Sequence, residues 1–224
     1  MKALLLPSLL IVLLTGCSKS GSSGSSSGNN STGSNNSTGL VPLKQGNVWN
    51  YRLKHYNTST GALTDSSSFT LTVNGTSTAN GDTYYKVVNS LDNSVWWLSN
   101  LSSSTIGSID SVNGVTYYTA FASGTGDSLV SVSSWPVTVG SGCTGTEKLY
   151  GYYADTTLTN LDGTVYSNSI KSVAVIYNCS GVKVEAQVYF VQQGTGLVRY
   201  SQYIYGSSGQ LELQLAWVLE SSSL

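Results

Sequence analysis

The chain has few charged residues. Asp, Glu, Lys and Arg together make up 9% of its 224 residues, and the formal net charge is −1. A cluster of basic residues is the electrostatic signature of a nucleic-acid-binding surface, and the sequence contains none. We therefore expect no nucleic-acid partner and no membrane contact through a polybasic patch.

Histidine is nearly absent, because His55 is the only one. Zinc sites need several His or Cys ligands, which this chain cannot supply. A Ser-His-Asp triad would depend on His55, and no Gly-x-Ser-x-Gly motif is present. His55 follows a core-facing position near the end of the first predicted strand. We expect it to be a packed or rim residue, with catalysis as the alternative.

The acidic residues are too scattered to indicate a catalytic or calcium site. Asp92, Asp110 and Asp162 each lie near an Asn in turn-like stretches, without EF-hand spacing, so turn formation explains them better. A glycosidase needs two partnered carboxylates. Glu185 and Glu212 could face each other across strands, but their Lys and Gln neighbours indicate a solvated face. We predict no metal, no cofactor and no catalytic residue.

The apolar run from Ala3 to Leu14 is too short to span a membrane, which takes roughly 20 apolar residues. It follows Lys2 and ends in Leu14-Thr15-Gly16-Cys17, which is typical of a signal peptide. These four residues resemble the bacterial lipobox, whose Cys receives a diacylglycerol thioether after cleavage. We predict lipidation of Cys17, which would anchor the protein to a membrane. An ordinary secretory signal is the alternative.

The residues after Cys17 indicate which membrane the protein is sorted to and a flexible linker, called the tether, before the domain. In the proteobacterial sorting scheme an Asp after the Cys retains the protein at the inner membrane, so Ser18 favours the outer membrane. The stretch that follows is Gly, Ser, Asn and Thr with one Lys, a composition that predicts a flexible chain. We predict a signal peptide over 1–16, a lipidated Cys and tether over 17–39, and one domain over 40–224, located in the bacterial cell envelope.

Apolar and polar residues alternate along much of 40–224, as in half-buried strands. Trp49, Tyr51 and Leu53 share one face, as do the five apolar residues at odd positions from Leu211 to Leu219. From Val182 to Phe190 the even positions are expected to face the core, opposite Glu185 and Gln187. Asn-Gly and Asp-Gly turns separate the strands, and no helical period appears. We predict an all-β fold: a large antiparallel meander sheet, strongly curled into a half-barrel or two layers, with no helix beyond the signal peptide.

Tyrosine and tryptophan are plentiful, with 15 and 5 residues against 3 Phe. Successive strand residues point to opposite faces, so an aromatic doublet places one ring in the core and one on the second face. Rings on the second face could bind sugars or an apolar ligand; alternatively, that face is simply covered. The candidate ligand-facing aromatic residues form four doublets: Tyr84-Tyr85, Trp96-Trp97, Tyr117-Tyr118 and Tyr152-Tyr153.

Lipidation of Cys17 would leave two cysteines, Cys143 and Cys179, in an oxidising compartment. Suppose that Lys148–Ala154 and Thr164–Tyr177 form an antiparallel hairpin. Paired residues then have a constant number sum. The residue numbers of the two cysteines sum to 322, so their midpoint is residue 161, in the turn before Gly163. We predict a Cys143–Cys179 disulfide, with two buried thiols as the alternative.

Three stretches resemble a family of uncharacterised bacterial lipoproteins. Leu43–Tyr51 is similar to its Pro-Leu-x-x-Gly-Asn-x-Trp-x-Tyr opening, Gly194–Tyr200 to its Gly-x-Gly-Leu-Val-x-Tyr strand, and Gly163–Lys171 to a segment between them. The resemblance implies a large antiparallel sheet, distantly similar to the LolA/LolB-like half-barrels that cup acyl chains. It implies no catalytic residues. The motif residues are expected to be structural, for turns or for packing: Gly46, Gly194, Gly196, Trp49 and Tyr51.

These observations predict a non-enzymatic, lipid-anchored envelope protein with a binding or structural role. Its candidate partners are a glycan, a lipid or another envelope protein. The alternative is a carbohydrate-binding or carbohydrate-active surface protein that uses an aromatic platform.

Overall fold

The computed structural model describes residues 39–79, 81–100, 105–109, 116–120, 130–139, 143–151 and 156–224. Within these ranges the secondary structure consists of thirteen strands without a helix, and no helix there could cross a membrane. The strands are β1 (Val48–Tyr56), β2 (Leu63–Ala79), β3 (Asp82–Asn89), β4 (Val95–Asn100), β5 (Thr105–Ile109), β6 (Thr116–Ala120), β7 (Val130–Val139), β8 (Cys143–Gly151), β9 (Thr156–Thr159), β10 (Val165–Tyr177), β11 (Lys183–Gln192), β12 (Gly196–Tyr205) and β13 (Leu211–Ser223).

All thirteen strands belong to one antiparallel sheet. Their order is β6-β5-β4-β3-β2-β1-β13-β12-β11-β10-β8-β7, and β9 pairs with β10 beside this path. Most neighbours in sequence are neighbours in space, as in a meander, and the β1–β13 pair joins the two halves. The sheet curls into a half-barrel, which confirms the predicted fold class.

Two strands, β7 and β9, were not predicted. β7 contains Pro136, which lacks an N–H for the ladder. Pro136 is tolerated because β7 is the last strand in the order, and an edge strand can place a proline N on its unpaired side. β9 has four residues, three of them Thr, which is too short to show an alternation.

The face of the sheet that carries Trp49, Tyr51 and Leu53 is called the inner face here, and the opposite side the outer face. These three residues are buried, as predicted, with exposures of 3%, 1% and 5%. They belong to the main hydrophobic cluster, which also includes Phe69, Leu71, Val73, Val87, Val198, Tyr200, Trp217 and Leu219. The core therefore lies within the curl of the sheet.

The β9–β10 hairpin lies across part of the inner face. The first residues of β10 pair with β9, whereas its later residues pair with β8 and β11. Leu158 of β9 and Tyr166 of β10 pack against the main cluster. Near the hairpin turn, the side-chain N–H of Asn160 donates to the carbonyl of Val198 on β12, 3.4 Å away. The hairpin thus covers the core from the open side of the half-barrel.

The prediction for β11 was wrong about which residues face the core. Tyr189 lies on the inner face, where its ring contacts the ring of Tyr200 at 5.0 Å. Gln187 is two positions away on the same face and is 6% exposed, so it is not solvated. The small outer-face residue Ala186 is also buried, at 2%. Because both faces of β11 are covered, the apolar and polar alternation does not reveal the inner side.

The long alternation in β13 is interrupted by a bulge. Against β12, Leu215 pairs with Gln202 but Leu213 pairs with Tyr203, so Gln214 is an extra residue. An extra residue reverses which side chains point inward beyond it. Glu212, which pairs with the inner residue Ile204, is therefore on the inner face, where the sequence pattern predicted leucines.

β8 and β10 are antiparallel neighbours as predicted, but the register differs by one residue. Thr146 pairs with Tyr177, so paired numbers sum to 323 rather than 322. The reason is that β9 pairs with the start of β10, so the turn before Gly163 does not set the β8–β10 register. Cys179 is disulfide-bonded. The side chain of Cys143 lies outside the described part, so their pairing stays a prediction.

Candidate ligand site on the inner face

Aromatic rings form a continuous group on the inner face, centred on Trp217. The Trp217 ring lies 4.9 Å from Phe69 and 5.0 Å from Tyr200, and it is nearly parallel to Trp96 at 6.4 Å. Further contacts join Tyr51 to Phe69 at 5.2 Å and Tyr189 to Tyr200 at 5.0 Å. We call this group the aromatic floor: Tyr51, Phe69, Trp96, Tyr189, Tyr200 and Trp217.

The strand register assembles the floor. Tyr200 pairs with Trp217 on one side and with Tyr189 on the other, so the three rings are direct cross-strand neighbours. Trp96 comes from β4, four strands away from β13, and reaches Trp217 because the sheet curls. Trp96 and Tyr189 are only half-buried, whereas the other four residues of the floor are buried.

A chain of hydrogen bonds runs along β11 from the floor to a carboxylate. The Tyr189 hydroxyl donates to Gln187 Oε1 at 2.5 Å, and Gln187 Nε2 donates to Glu185 Oε1 at 2.7 Å. The three residues alternate along one strand, so all three are on the inner face. Glu185 is half-buried, which places a partly accessible carboxylate beside the aromatic floor.

Three glutamates occupy alternate strands of a single row across the sheet. Glu147 and Glu185 both pair with Ile176, and Glu185 and Glu212 both pair with Ile204. Strands are about 4.8 Å apart, so neighbouring glutamates are separated by roughly 10 Å along the row. Glu185 and Glu212 therefore flank one strand and are not direct partners. Among the described residues no group of three His, Cys, Asp or Glu could hold a metal ion.

Burial and nearby carboxylates keep the floor hydroxyls protonated. Burial raises the pKa of Tyr189 far above its usual value, and Glu147 and Glu185 raise it further. The pKa of Tyr200 is raised by burial, then by Tyr189 and the same two carboxylates. For Tyr51, burial is the main cause of a raised pKa. Both carboxylates thus lie within electrostatic reach of the floor.

Two buried polar atoms beside this chain lack a hydrogen-bond partner in the described structure. They are the hydroxyl of Tyr200 and Oε1 of Gln202. The two residues are 2% and 8% exposed. Gln202 pairs with Gln187 in the β11–β12 register, so its side chain is on the inner face next to the Glu185 chain. Buried polar groups are nearly always hydrogen-bonded to protein, to ordered water or to a ligand, so these two atoms are candidate contacts for a bound group.

Only some of the predicted aromatic doublets can be located. Tyr85 and Trp96 pack against the inner cluster, and the register puts Tyr84 and Trp97 on the outer face, as the alternation predicts. Tyr84 is fully buried, so its ring is not open to a ligand, whereas Trp97 is half-buried. The side chains of Tyr117 and Tyr118 on β6, and all of Tyr152 and Tyr153, lie outside the described part.

The remaining predicted residues are placed as follows. His55 pairs with Leu215 on the inner face and is half-buried, which agrees with a packed or rim position. Cys17 lies outside the described residues. The sequence analysis did not single out Tyr189, Gln202 or Glu147, because they come from different strands and nothing in their local sequence shows that they lie close together. Their shared row appears only when the strand register is known.

No family model and no curated protein matches the chain. Two solved structures are similar. One is a candidate exported protein with a YmcC-like fold from Bacteroides fragilis NCTC 9343, with a TM-score of 0.50 and 10% identity over 84% of this chain and 100% of that one. The other is a candidate lipoprotein from Parabacteroides distasonis ATCC 8503, with a TM-score of 0.49 and 14% identity over 83% and 99%. The chain therefore shares its fold with the Bacteroides fragilis protein.

Proposed function

We propose that this protein is a lipid-anchored protein of the bacterial cell envelope that binds a ligand on its inner face without catalysis. One observation carries the binding role: the aromatic floor has half-buried rings, Trp96 and Tyr189, next to buried polar atoms that have no partner. The lipobox-like sequence that ends at Cys17 supports the envelope location. The similar Bacteroides fragilis protein is itself named as exported, which agrees with that location.

Binding fits the chemistry of the inner face better than catalysis does. A general base works best when its pKa is close to the working pH. The Tyr189 and Tyr200 hydroxyls have their pKa moved upward, away from that range. Aromatic rings beside a few fixed polar groups are instead typical of sites that hold a ligand.

Native purification tests the binding role. The lipoprotein would be extracted from its own membranes, and small molecules that copurify would be identified by mass spectrometry. Trp96→Ala should reduce the bound amount, because that ring belongs to the floor. Trp97→Ala is the matched control, since the register puts its ring on the outer face. A wild-type protein that carries no ligand, or equal occupancy in both variants, would contradict the proposal.

The anchor and its membrane are tested separately. Cys17→Ser removes the thiol to which the lipid attaches, so the variant should move to the soluble fraction. The outer-membrane assignment rests on Ser18, and Ser18→Asp should shift the protein toward the inner membrane in a density gradient. If Cys17→Ser stays with membranes and neither form carries an acyl chain, the protein is not a lipoprotein.

A second candidate is carbohydrate binding on the outer face. Trp97 is half-buried there and pairs with Lys86, an arrangement that leaves ring surface for a sugar. Electrophoresis through gels that contain polysaccharide would detect it as retardation. Trp97→Ala should abolish the retardation and Trp96→Ala should not; the opposite result would place the site on the inner face.

A further inference from the structure

We propose that the inner face holds a protonated primary amine, bound between the Glu185 carboxylate and Gln202 Oε1, beside the half-buried Tyr189 of the aromatic floor. This inference rests on the proposed binding function and names its ligand chemistry. An ammonium group has three N–H donors and a positive charge. The polar atoms of this part of the inner face are mostly acceptors.

The unpartnered atoms define what the ligand must supply. Gln202 Oε1 can only accept a hydrogen bond, and nothing in the described structure donates to it. Its cross-strand partner Gln187 already donates to Glu185 and accepts from Tyr189. The Glu185 carboxylate has further acceptor capacity beyond that one bond. A ligand that satisfies Gln202 Oε1 must therefore bring N–H or O–H donors, and the oxygen of the other unpartnered group, the Tyr200 hydroxyl, can accept from such a donor as well.

The distribution of charge favours a cation over a neutral donor. Glu147, Glu185 and Glu212 form one row on the inner face. The basic residues of the same strands are on the outer face: Lys148 lies over the Tyr177 ring at 5.0 Å, and Lys183 over the Tyr205 ring at 5.9 Å. Arg199 likewise donates to Ser201 on the outer face. The charged side chains of this row are therefore the three glutamates, with an isoleucine between each pair.

Besides the glutamates, the described residues of the inner face near this row include His55 and the floor tyrosines. His55 pairs with Asp65 on β2, so the one inner-face imidazole has an acidic neighbour in the register. The Tyr189 and Tyr200 hydroxyls remain neutral, because burial and the two nearby carboxylates raise their pKa. The faces of aromatic rings attract a cation, and Tyr189 is the half-buried floor ring on the same strand as Glu185.

An ammonium group of this kind could belong to an amphiphile or to an amino sugar. The shared chemistry is a primary amine beside an apolar or ring-shaped body that covers the aromatic floor. Two matched pairs of probes separate the sources. Dodecylamine is compared with dodecanol, and the glucosamine tetramer with its fully N-acetylated form. The first pair differs only at the headgroup, whereas in the second pair N-acetylation removes the charge and also adds an acetyl group to each sugar.

The experiment is calorimetric titration of the full mature chain, made soluble by Cys17→Ser. We expect one of the two amines to bind at least about tenfold more tightly than its neutral match. Glu185→Gln keeps the side-chain size and its acceptor for Gln187 but removes the charge. It should reduce the preference to about twofold or less while the neutral probe binds as before. Gln202→Leu should also weaken the amine.

A matched control is Glu220→Gln, which removes an exposed carboxylate paired with Arg52 at 2.9 Å and should keep the preference. Equal binding of amine and neutral probe by the wild type would overturn the ammonium inference and leave the proposed binding function intact. A preference that survives in Glu185→Gln would overturn the site. Binding of none of the four probes would overturn the ammonium inference, whereas the proposed function would fall only if no ligand copurifies.

Discussion

The indole N–H of Trp49 donates a hydrogen bond to the backbone carbonyl of Thr195, 2.7 Å away. Two residues further along β1, the Tyr51 hydroxyl donates to the carbonyl of Leu197 at 2.7 Å. These bonds join the start of the domain to a segment 146 residues later. The two stretches carry the first and last motifs of the lipoprotein resemblance, and Tyr166 of the middle motif packs in the same cluster. The three motifs thus meet at one place on the inner face.

The first prediction concerns this pair of bonds. Trp49→Phe should lower the free energy of unfolding by about 2–3 kcal/mol, because it removes a buried hydrogen bond and part of a buried ring. Tyr51→Phe keeps the ring and should cost about 1–2 kcal/mol. Urea unfolding followed by circular dichroism measures both. Trp97→Phe on the outer face is the control, and an equal loss there would contradict the role given to Trp49.

The second prediction separates backbone strain from side-chain crowding at two neighbouring glycines, Gly194 in the turn before β12 and Gly196 at the first position of β12. Gly194 and Gly196 both have positive φ, at 76° and 96°. A Cβ on Gly196 would meet Trp49 Nε1 at 3.3 Å, whereas one on Gly194 would meet nothing within 4 Å. Gly194→Ala should cost about 1 kcal/mol for backbone strain alone. Gly196→Ala should cost more, by urea unfolding, because it also displaces the Trp49 side chain.

If Gly196→Ala lowered the free energy of unfolding no more than Gly194→Ala does, the close approach of Gly196 to Trp49 would contribute nothing to stability. The double variant Trp49→Phe with Gly196→Ala gives a further check. Substitutions of two residues that are in contact do not have additive effects on stability. The loss of unfolding free energy in the double variant should therefore be smaller than the sum of the two single losses. Additive losses would mean that the two positions act independently.

The fold class was predictable from the sequence because alternation and turn residues are local signals. Trp49, Tyr51 and Leu53 were correctly assigned to the core, since one face of β1 is lined by the cluster and the other carries polar, half-buried residues such as Arg52. The same reasoning failed for β11. There Ala186 and Gln187 are adjacent and both buried, so polarity no longer separates the faces.

The candidate site depended on information that is not local. Glu147, Glu185 and Glu212 are far apart in sequence and become one row through four strand pairings. The bulge at Gln214 decides that Glu212 points inward, and it has no clear signal in the alternating sequence. Aromatic doublets were a visible pattern, but the floor is built mainly from single rings whose contacts depend on the curl of the sheet.

The third prediction concerns alkaline pH. Tyr51, Tyr189 and Tyr200 have a pKa in the folded protein above the unfolded value of about 10. Their contribution to stability is complete below that pH and is lost as the pH rises above it, because the unfolded chain releases protons that the folded chain keeps. Each such residue should add about 1.4 kcal/mol of lost stability per pH unit above 10.

Two measurements check this behaviour. The absorbance of tyrosinate should show these residues ionising only together with unfolding. Tyr200→Phe should flatten the loss of stability above pH 10, because it removes one ionisable group from the core. Ionisation of all 15 tyrosines near pH 10 in a protein that stays folded would show that these hydroxyls are not held in the neutral form.

The fourth prediction is the Cys143–Cys179 disulfide. Thr146 pairs with Tyr177, the last residue of β10, so Cys143 and Cys179 both lie beyond this pair at the same end of the two strands, three and two residues away from it. Residues at the same end of two neighbouring strands can approach to the Cα separation of about 4.4–6.8 Å that a disulfide needs. Cys179 is disulfide-bonded, and if Cys17 carries the lipid, Cys143 is the remaining cysteine that can be its partner.

The bond should stabilise the domain by about 3–4 kcal/mol, because it closes a long loop in the unfolded chain. Mass spectrometry of an unreduced digest should find the peptides of Cys143 and Cys179 linked. Cys143→Ser and Cys179→Ser should each lower the urea midpoint by the same amount as the double variant, since either one breaks the bond. Two free thiols in the unfolded, unreduced protein, or losses that add in the double variant, would contradict the pairing.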